Sequence, residues 1–527
     1  MIRPLAAPGM RPAGRRLAAS RAPGAGIDRA SGGRNEALSD VLVFIVSHLS
    51  WIAIVSVVLA HVVFAQAEFP LPTRLLTAVP AVLCLLEARA HLRAPKGELP
   101  FMVMALLQYY VSFCSAVFFD LTFYDLTGPV HFTETTRIAA GLAVALGGLT
   151  LSAGGRLGIR LGRDFRAGFL RSLPPADLPR RWDDAFYVYC AVAVLATLVA
   201  TFTPGMIPQA LALPITYTLS FEFAMGLALA CPPRKLGLKA AQGFVALGIV
   251  IALFHGMLDL IFRVGMEYVA GRWATVRRIS LRVVAVVAVL FLALQPIKQR
   301  FRDQVWTQEA KSGVATGVTG RVSAWQSALS YYGEDNHAKS ETDNAAIERM
   351  SELGSVMHAI QVIPVRVDYL DGAGFVQILY SPIPRLIWPD KPTTKDTVQR
   401  YAVIFGRQTE RGAETTAITL PLVVEGYWNF GWVGVALVCG AVGLWMGLSQ
   451  QLFAGEHWAL RAMGFTQFTN ITVAQSIVFL YGSLFQNFLG RMVACWVVYW
   501  LAKLLSGRRE ARDAPVGLRR ASVAGAR

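Results

Sequence analysis

The stretch TERGAETTAITLPLVVEGYWNFGWVGVALVCG, residues 409–440, passes within a dozen positions from a charged loop into an unbroken apolar run. From Leu420 to Gly440 the one charged side chain is Glu425. A helix needs about 20 predominantly apolar residues to cross about 30 Å of hydrocarbon, and this run approaches that length. Comparable runs recur on both sides of it, at approximately 41–66, 72–88, 99–119, 136–153, 184–203, 208–230, 238–254, 257–271, 280–297, 430–448, 463–483 and 487–505. The reading is an all-α, polytopic transmembrane bundle of about twelve helices. Composition agrees, because 54% of the 527 residues are hydrophobic and only 16% charged, against about 25% charged in soluble domains.

The formal charge of +16 has two possible meanings, nucleic-acid binding or membrane topology. Placement decides between them. Seven Arg precede residue 40, seven more lie between Arg156 and Arg181, and seven Lys plus Arg follow from Lys503 to Arg527. Twelve spans put all three groups on the cytoplasmic side, as the positive-inside rule expects, so no nucleic-acid partner is expected. The same count exports residues 298–414, a segment of 117 positions with 14 basic and 14 acidic residues, too long for an ordinary connection. The expected organisation is a disordered basic cytoplasmic tail (1–39), about nine membrane helices (40–297), a periplasmic loop domain (298–414), about three further helices (415–505) and a second basic cytoplasmic tail (506–527). The six cysteines have no metal-ligand spacing, so neither a disulfide scaffold nor a zinc site is indicated.

Polar residues inside apolar runs are expensive and mark packing or function. HGMLDLIFRVGMEYVAG sets His255, Asp259, Arg263 and Glu267 four apart, which on one helix puts them along one face. Either Asp259 and Glu267 neutralise Arg263 and pin the helix to a neighbour, or the face lines a cavity and Arg263 offers its fork to an anion such as phosphate. Glu425 is either a helix-start carboxylate beside an interfacial aromatic belt or a general base. The loop adds Arg366 with Asp368 and Asp371 in RVDYLDG, then Arg385, Lys391, Lys395, Arg400, Arg407 and Arg411. Arg385 stands out because SPIPRLIWPDKP surrounds it with four prolines and Trp388, a stiff backbone suited to holding a guanidinium for anion capture. His48, His61 and Glu222 read as packing or interface contacts. No Walker A, GxGxxG, HExxH, GxSxG or DxD pattern is present, so ATP use and metal-dependent chemistry have no sequence support.

Together these residues resemble the bacterial oligosaccharide repeat unit polymerases of the O-antigen polymerase type. The likeness rests on Arg263 in a short mid-chain span, the large loop, IPRLIWPDKP at residues 383–392 and EGYWNFGWVG at residues 425–434. It covers about residues 40–505. Family members commonly carry Gly-Ser-Arg-Gly where this chain reads IFRVG. The resemblance implies a multi-pass inner-membrane glycosyltransferase, similar to the all-helical membrane transferases, with both termini cytoplasmic and with no cofactor or metal. Its implied partners are undecaprenyl-pyrophosphate-linked glycans, membrane lipids, a chain-length regulator and a flippase.

In the implied reaction a growing polysaccharide on undecaprenyl pyrophosphate is moved as a block to a new lipid-linked unit. Arg385 and Arg263 would stabilise the departing pyrophosphate, helped by Arg407, Arg411, Arg366 and Lys391. Glu425, and after it Asp371, would accept the acceptor proton. Trp388 and Trp428 would stack on sugar faces, with Asn429, Asp259 and His255 nearby. An O-antigen or polymer ligase would use the same donor with another acceptor. A lipid-linked oligosaccharide flippase would also need intramembrane charge, but paired halves are expected of such transporters and the long insertion breaks any such repeat.

Overall fold

The computed structural model describes residues 50–93, 97–119, 122–202, 218–276, 281–312, 316–333, 352–380, 395–415, 420–469 and 476–513, with a few single positions between them. They are mostly helical. In chain order the helices are α1 Ser50–Phe64, α2 Leu71–Leu92, α3 Phe101–Phe113, α4 Glu134–Arg171, α5 Trp182–Phe202, α6 Phe221–Ala230, α7 Lys239–His255, α8 Asp259–Val276 and α9 Leu281–Ser312. They continue with α10 Val318–Gly333, α11 Leu353–Val362, α12 Val376–Tyr380, α13 Lys395–Ile404, α14 Glu410–Thr415, α15 Leu422–Leu452, α16 Trp458–Thr469 and α17 Ile477–Asp513. A small antiparallel hairpin pairs Tyr124–Asp125 with Gly128–Pro129.

Among the described residues five helical segments are long and apolar enough to cross a membrane: Leu71–Leu92, Glu134–Arg171, Trp182–Thr201, Leu422–Leu452 and Asn487–Ser506. These make the protein membrane-associated, and they correct the expectation of about twelve spans. The physical reason is that hydropathy reports burial and not helix length. The apolar run at 99–119 is a 13-residue helix followed by a turn of 3-10 helix at Ser115–Phe118. That at 208–230 contributes, among its described residues, the ten-residue α6, begun by Ser220, whose side chain accepts from Phe223 N at 3.0 Å. Conversely, α4 does not stop where its apolar stretch ends. It runs through Arg156, Arg160, Arg163 and Arg166 to Arg171, converting most of an expected basic loop into helix, because Arg is a good helix former.

The longest seam joins α4 to α15, and it is made by glycine. A Cβ on Gly443 would collide with the Leu151 carbonyl, one on Gly447 with the Gly155 carbonyl, and one on Gly158 with the Leu444 carbonyl. Gly147 leaves room for the Tyr109 hydroxyl, which donates to Val144 O at 3.0 Å. In a medium as apolar as the side chains themselves, close backbone approach is what holds helices together.

α15 is not one rod. Phe430 (φ −145°, ψ 27°) and Gly431 (φ 59°, ψ −139°) are non-helical, and the chain doubles back there, so that a Cβ on Gly426 would lie 2.7 Å from Gly434 O. Residues 422–429 therefore form a short helical head packed against the start of a longer shaft. Gly431 has a positive φ with a strongly negative ψ, a conformation that only glycine adopts cheaply.

The helices have two distinguishable ends. At one, Arg166 donates to Ala454 O at 2.7 Å, His457 and Trp458 donate to Pro174 O and Pro175 O, and Trp496 donates to Ser172 O. This end gathers the end of α4 and the starts of α5 and α16, with Arg171, Arg180, Arg181 and Arg461 among them. At the other, Glu352 N donates to Ser112 O, Leu126 N to Gly406 O and Leu370 N to Trp428 O. There Glu352 lies against the end of α3, Gly406 against the hairpin and Leu370 against the first turns of α15.

Candidate functional site

The head of α15 meets the segment 366–375 and the start of α17. Glu425 is fully buried. Its Oε1 accepts from Ser476 Oγ at 2.7 Å and its Oε2 from Ile477 N at 2.6 Å. Ile477 is the first residue of α17, so the carboxylate occupies a helix N-terminus, where unpaired N–H groups and the helix dipole favour negative charge. Trp428 is buried as well. It packs against Tyr401 and Phe405 and its Nε1 donates to Asp368 O at 3.2 Å. Asn429 Nδ2 donates to Glu425 O at 2.8 Å, and its side chain fills the space that a Cβ on Gly374 would need.

These contacts hold the 368–374 turn over the head. Leu370 N donates to Trp428 O at 2.9 Å, Gly372 lies against Phe430, and the Tyr369 and Tyr427 rings are 6.3 Å apart. Asp371, in the middle of the turn, has φ 47°, an uncommon conformation for a residue with a Cβ and one that Asp tolerates better than most. It is exposed, as are Arg366 and Asp368. The aromatic side chains around it stay open to solvent too: Tyr369, Phe430 and Trp432 are 36%, 42% and 40% exposed. This exposed patch of two accessible carboxylates and open aromatic rings, here termed the mouth, lies beside a carboxylate whose two oxygens are already engaged.

The four-residue face read from His255 to Glu267 is not one face. Gly256, at φ 65°, ends α7 just after His255, and α8 begins at Asp259, so His255 belongs to the preceding helix. The side chain of Asp259 lies outside the described residues. Arg302 donates to Gly256 O at 3.0 Å, Arg321 to Phe254 O at 2.8 Å and Trp325 to Leu253 O at 2.7 Å. The carbonyls at the end of α7 are thereby satisfied by cations and an indole from α9 and α10. Arg263 pairs with Glu222, 3.4 Å away on α6. Glu267, one turn along and fully buried, sits within the electrostatic reach of Glu222, Arg491 and Arg263. Arg491 is 2% exposed and donates to Gln467 Oε1 at 2.9 Å.

This second cluster is separate from the first. Arg491 lies fourteen residues after Ile477 on α17, about 21 Å along the axis at 1.5 Å per residue, so Glu425 and the Glu267–Arg491 group do not share a centre. A third group surrounds Arg407, which donates to Tyr124 O at 3.0 Å and lies 4.2 Å over the Phe123 ring. Burial raises the Glu352 carboxyl nearby to about 7, against smaller opposing effects of the Ser355 hydrogen bond and Arg407. Arg411 is exposed on α14, and Trp388 is 41% exposed with its ring 5.8 Å from Tyr380. Arg385 and Lys391 lie outside the described residues. Among the described residues no three His, Cys, Asp or Glu side chains group as a metal site would.

Sequence reasoning left out Arg491, Gln467 and Ser476. For Arg491 the signal was present, since GRMVAC sets an arginine in an apolar span and such a residue demands a partner. Nothing local marks Ser476 as the partner of a residue 51 positions away.

A family model described as a domain of unknown function matches residues 181–506, more than half of the chain. The chain belongs to this family, DUF8712. The match runs from the start of α5 into α17 and so takes in the mouth, the Glu222–Arg263 pair and Arg491. It leaves out α4, the partner of α15 in the glycine seam. No curated protein and no solved structure matches the chain.

Proposed function

We propose that this protein is a bacterial inner-membrane glycosyltransferase that joins undecaprenyl-pyrophosphate-linked oligosaccharide units into a polysaccharide on the periplasmic face. The observation that carries the reading is the mouth at the head of α15: exposed Asp371 and Asp368, exposed Arg366, and the open rings of Tyr369, Phe430 and Trp432. Aromatic faces suit sugar rings. An accessible carboxylate suits an acceptor hydroxyl. The basic residues gathered at the opposite end support an orientation with that end cytoplasmic and the mouth outside.

In the proposed step the acceptor hydroxyl oxygen forms a bond to the anomeric carbon of the donor, whose bond to the diphosphate oxygen breaks. The hydroxyl proton passes to Asp371, and undecaprenyl pyrophosphate leaves with the electron pair. Arg366 on the same segment, with Arg385 and Lys391, supplies the cations that favour departure. Glu425 acts as a positioning residue, tying the head of α15 to the start of α17.

The test is extension by purified protein in liposomes given short lipid-linked repeat units, without nucleotide sugar, ATP or added metal. Longer glycans are expected, and Asp371→Asn is expected to lower kcat by at least a hundredfold while the protein stays folded. Movement of intact lipid across the bilayer with no change in glycan length would replace the proposal with transport.

A further inference from the structure

A cleft separate from the mouth opens beside the hairpin at Tyr124–Pro129. Its walls are Phe69, Ala116, Phe119, Phe123 and Met357, and Arg407 lies at its polar end. The depth of this cleft in the membrane follows from its neighbours. Phe69 stands two residues before the candidate span Leu71–Leu92, and Ala116 and Phe119 follow the end of α3. The cleft therefore sits where a span begins, at the level of lipid headgroups.

Arg407 is held in place from two sides. One guanidinium nitrogen donates to Tyr124 O at 3.0 Å, and the plane lies over Phe123 at 4.2 Å. Phe123 in turn meets the His358 ring at 5.3 Å. A guanidinium oriented this way keeps further N–H donors for a second acceptor and loses little freedom on binding one.

We propose that this cleft binds an anionic membrane phospholipid, with the phosphodiester on Arg407 and the first methylenes of the chains along Phe69, Ala116 and Phe119. Charge selects this occupant over a polyprenyl diphosphate. The cleft offers one guanidinium, and the Glu352 carboxylate stands within electrostatic reach of it. A phosphodiester brings one negative charge, whereas a diphosphate brings more than a single partly balanced cation can neutralise. The site is independent of the proposed glycosyl transfer.

The test is native mass spectrometry of the full chain in detergent, titrated with phosphatidylglycerol, phosphatidylcholine, farnesyl diphosphate or inorganic phosphate. Wild type should retain one phosphatidylglycerol, and Arg407→Gln should weaken that binding about tenfold. Thr122→Trp, which fills the exposed rim of the cleft and leaves Arg407 in place, should weaken it at least fivefold with an unchanged Tm. Phosphatidylcholine and inorganic phosphate should not be retained. Equal retention by Arg407→Gln, or by Thr122→Trp, would overturn the proposal. So would tighter binding of farnesyl diphosphate than of phosphatidylglycerol. Absence of glycan extension by the wild type, with phosphatidylglycerol still retained, would count against the glycosyltransferase reading alone.

Discussion

Two glycine-to-alanine changes in the same helical element should move stability in opposite directions. At Gly431 the backbone holds φ 59° and ψ −139°. A Cβ there would meet the Tyr369 hydroxyl at 3.4 Å, ordinary contact, so the cost of Gly431→Ala is conformational, about 1–3 kcal/mol. Gly440 is helical, and a Cβ on it would come no closer than 3.7 Å to Thr150 O. Gly440→Ala should therefore gain up to about 1 kcal/mol of helix propensity. The two variants should differ by roughly 1–4 kcal/mol, the sum of the two effects. Equilibrium unfolding in mixed micelles, followed by tryptophan fluorescence, reads the difference directly. If Gly431→Ala matched wild type, or if Gly440→Ala fell as far as Gly431→Ala, the broken-helix description of α15 would be wrong.

Other consequences are equally open to measurement. The Glu352 carboxyl titrates at about 7 in the folded chain against an ordinary 4.5. Between those values the unfolded chain gives up its proton first, so stability falls as pH rises from about 4.5 through 7, by at most about 3 kcal/mol and less for a half-buried group. Melting curves from pH 5 to 8 should show wild type losing Tm relative to Glu352→Gln, and parallel curves would dismiss the effect. Glu425→Ala should cost about 2–4 kcal/mol, because it removes the carboxylate that accepts from buried Ser476 Oγ and Ile477 N; Glu425→Gln, which keeps an acceptor, should cost less than half as much. Arg491→Leu should cost about 3 kcal/mol, since it strips a counter-charge from buried Glu267. Adding Glu267→Gln should recover at least 1 kcal/mol of it, and strict additivity in the double-mutant cycle would show that the two do not interact.

Much of the helical skeleton was readable from local pattern. The runs at 72–88 and 487–505 fall within helices long enough to span, the described part of 184–203 is helical, and the run at 430–448 supplies most of the shaft of α15. Span number was not readable, because a run of apolar residues looks the same whether it crosses lipid or packs as a 13-residue helix inside protein. Helix ends were misjudged in both directions. Gly256 separates His255 from Asp259, and the arginines after residue 155 extend α4 where charge had suggested a loop.

Partnership was the least legible property. Arg263 called for a carboxylate, and beside the local Glu267, which feels its charge, it pairs with Glu222, on a helix 41 positions earlier. Glu425 likewise finds its donors 51 and 52 residues on. Charge in an apolar run announces that a partner exists; only the tertiary packing names it.

The doubling-back at Phe430 and Gly431 also separates the spanning rod from the exposed turn at Asp371. A bilayer that thins or thickens tilts a spanning rod to restore the match between their apolar lengths. In α15 the rod is residues 432–452, and rotation can be taken up at the Gly431 hinge. The head, moored by Glu425 to the first turn of α17, keeps its register, so residues near Asp371 are shielded from changes in lipid thickness that the shaft must follow.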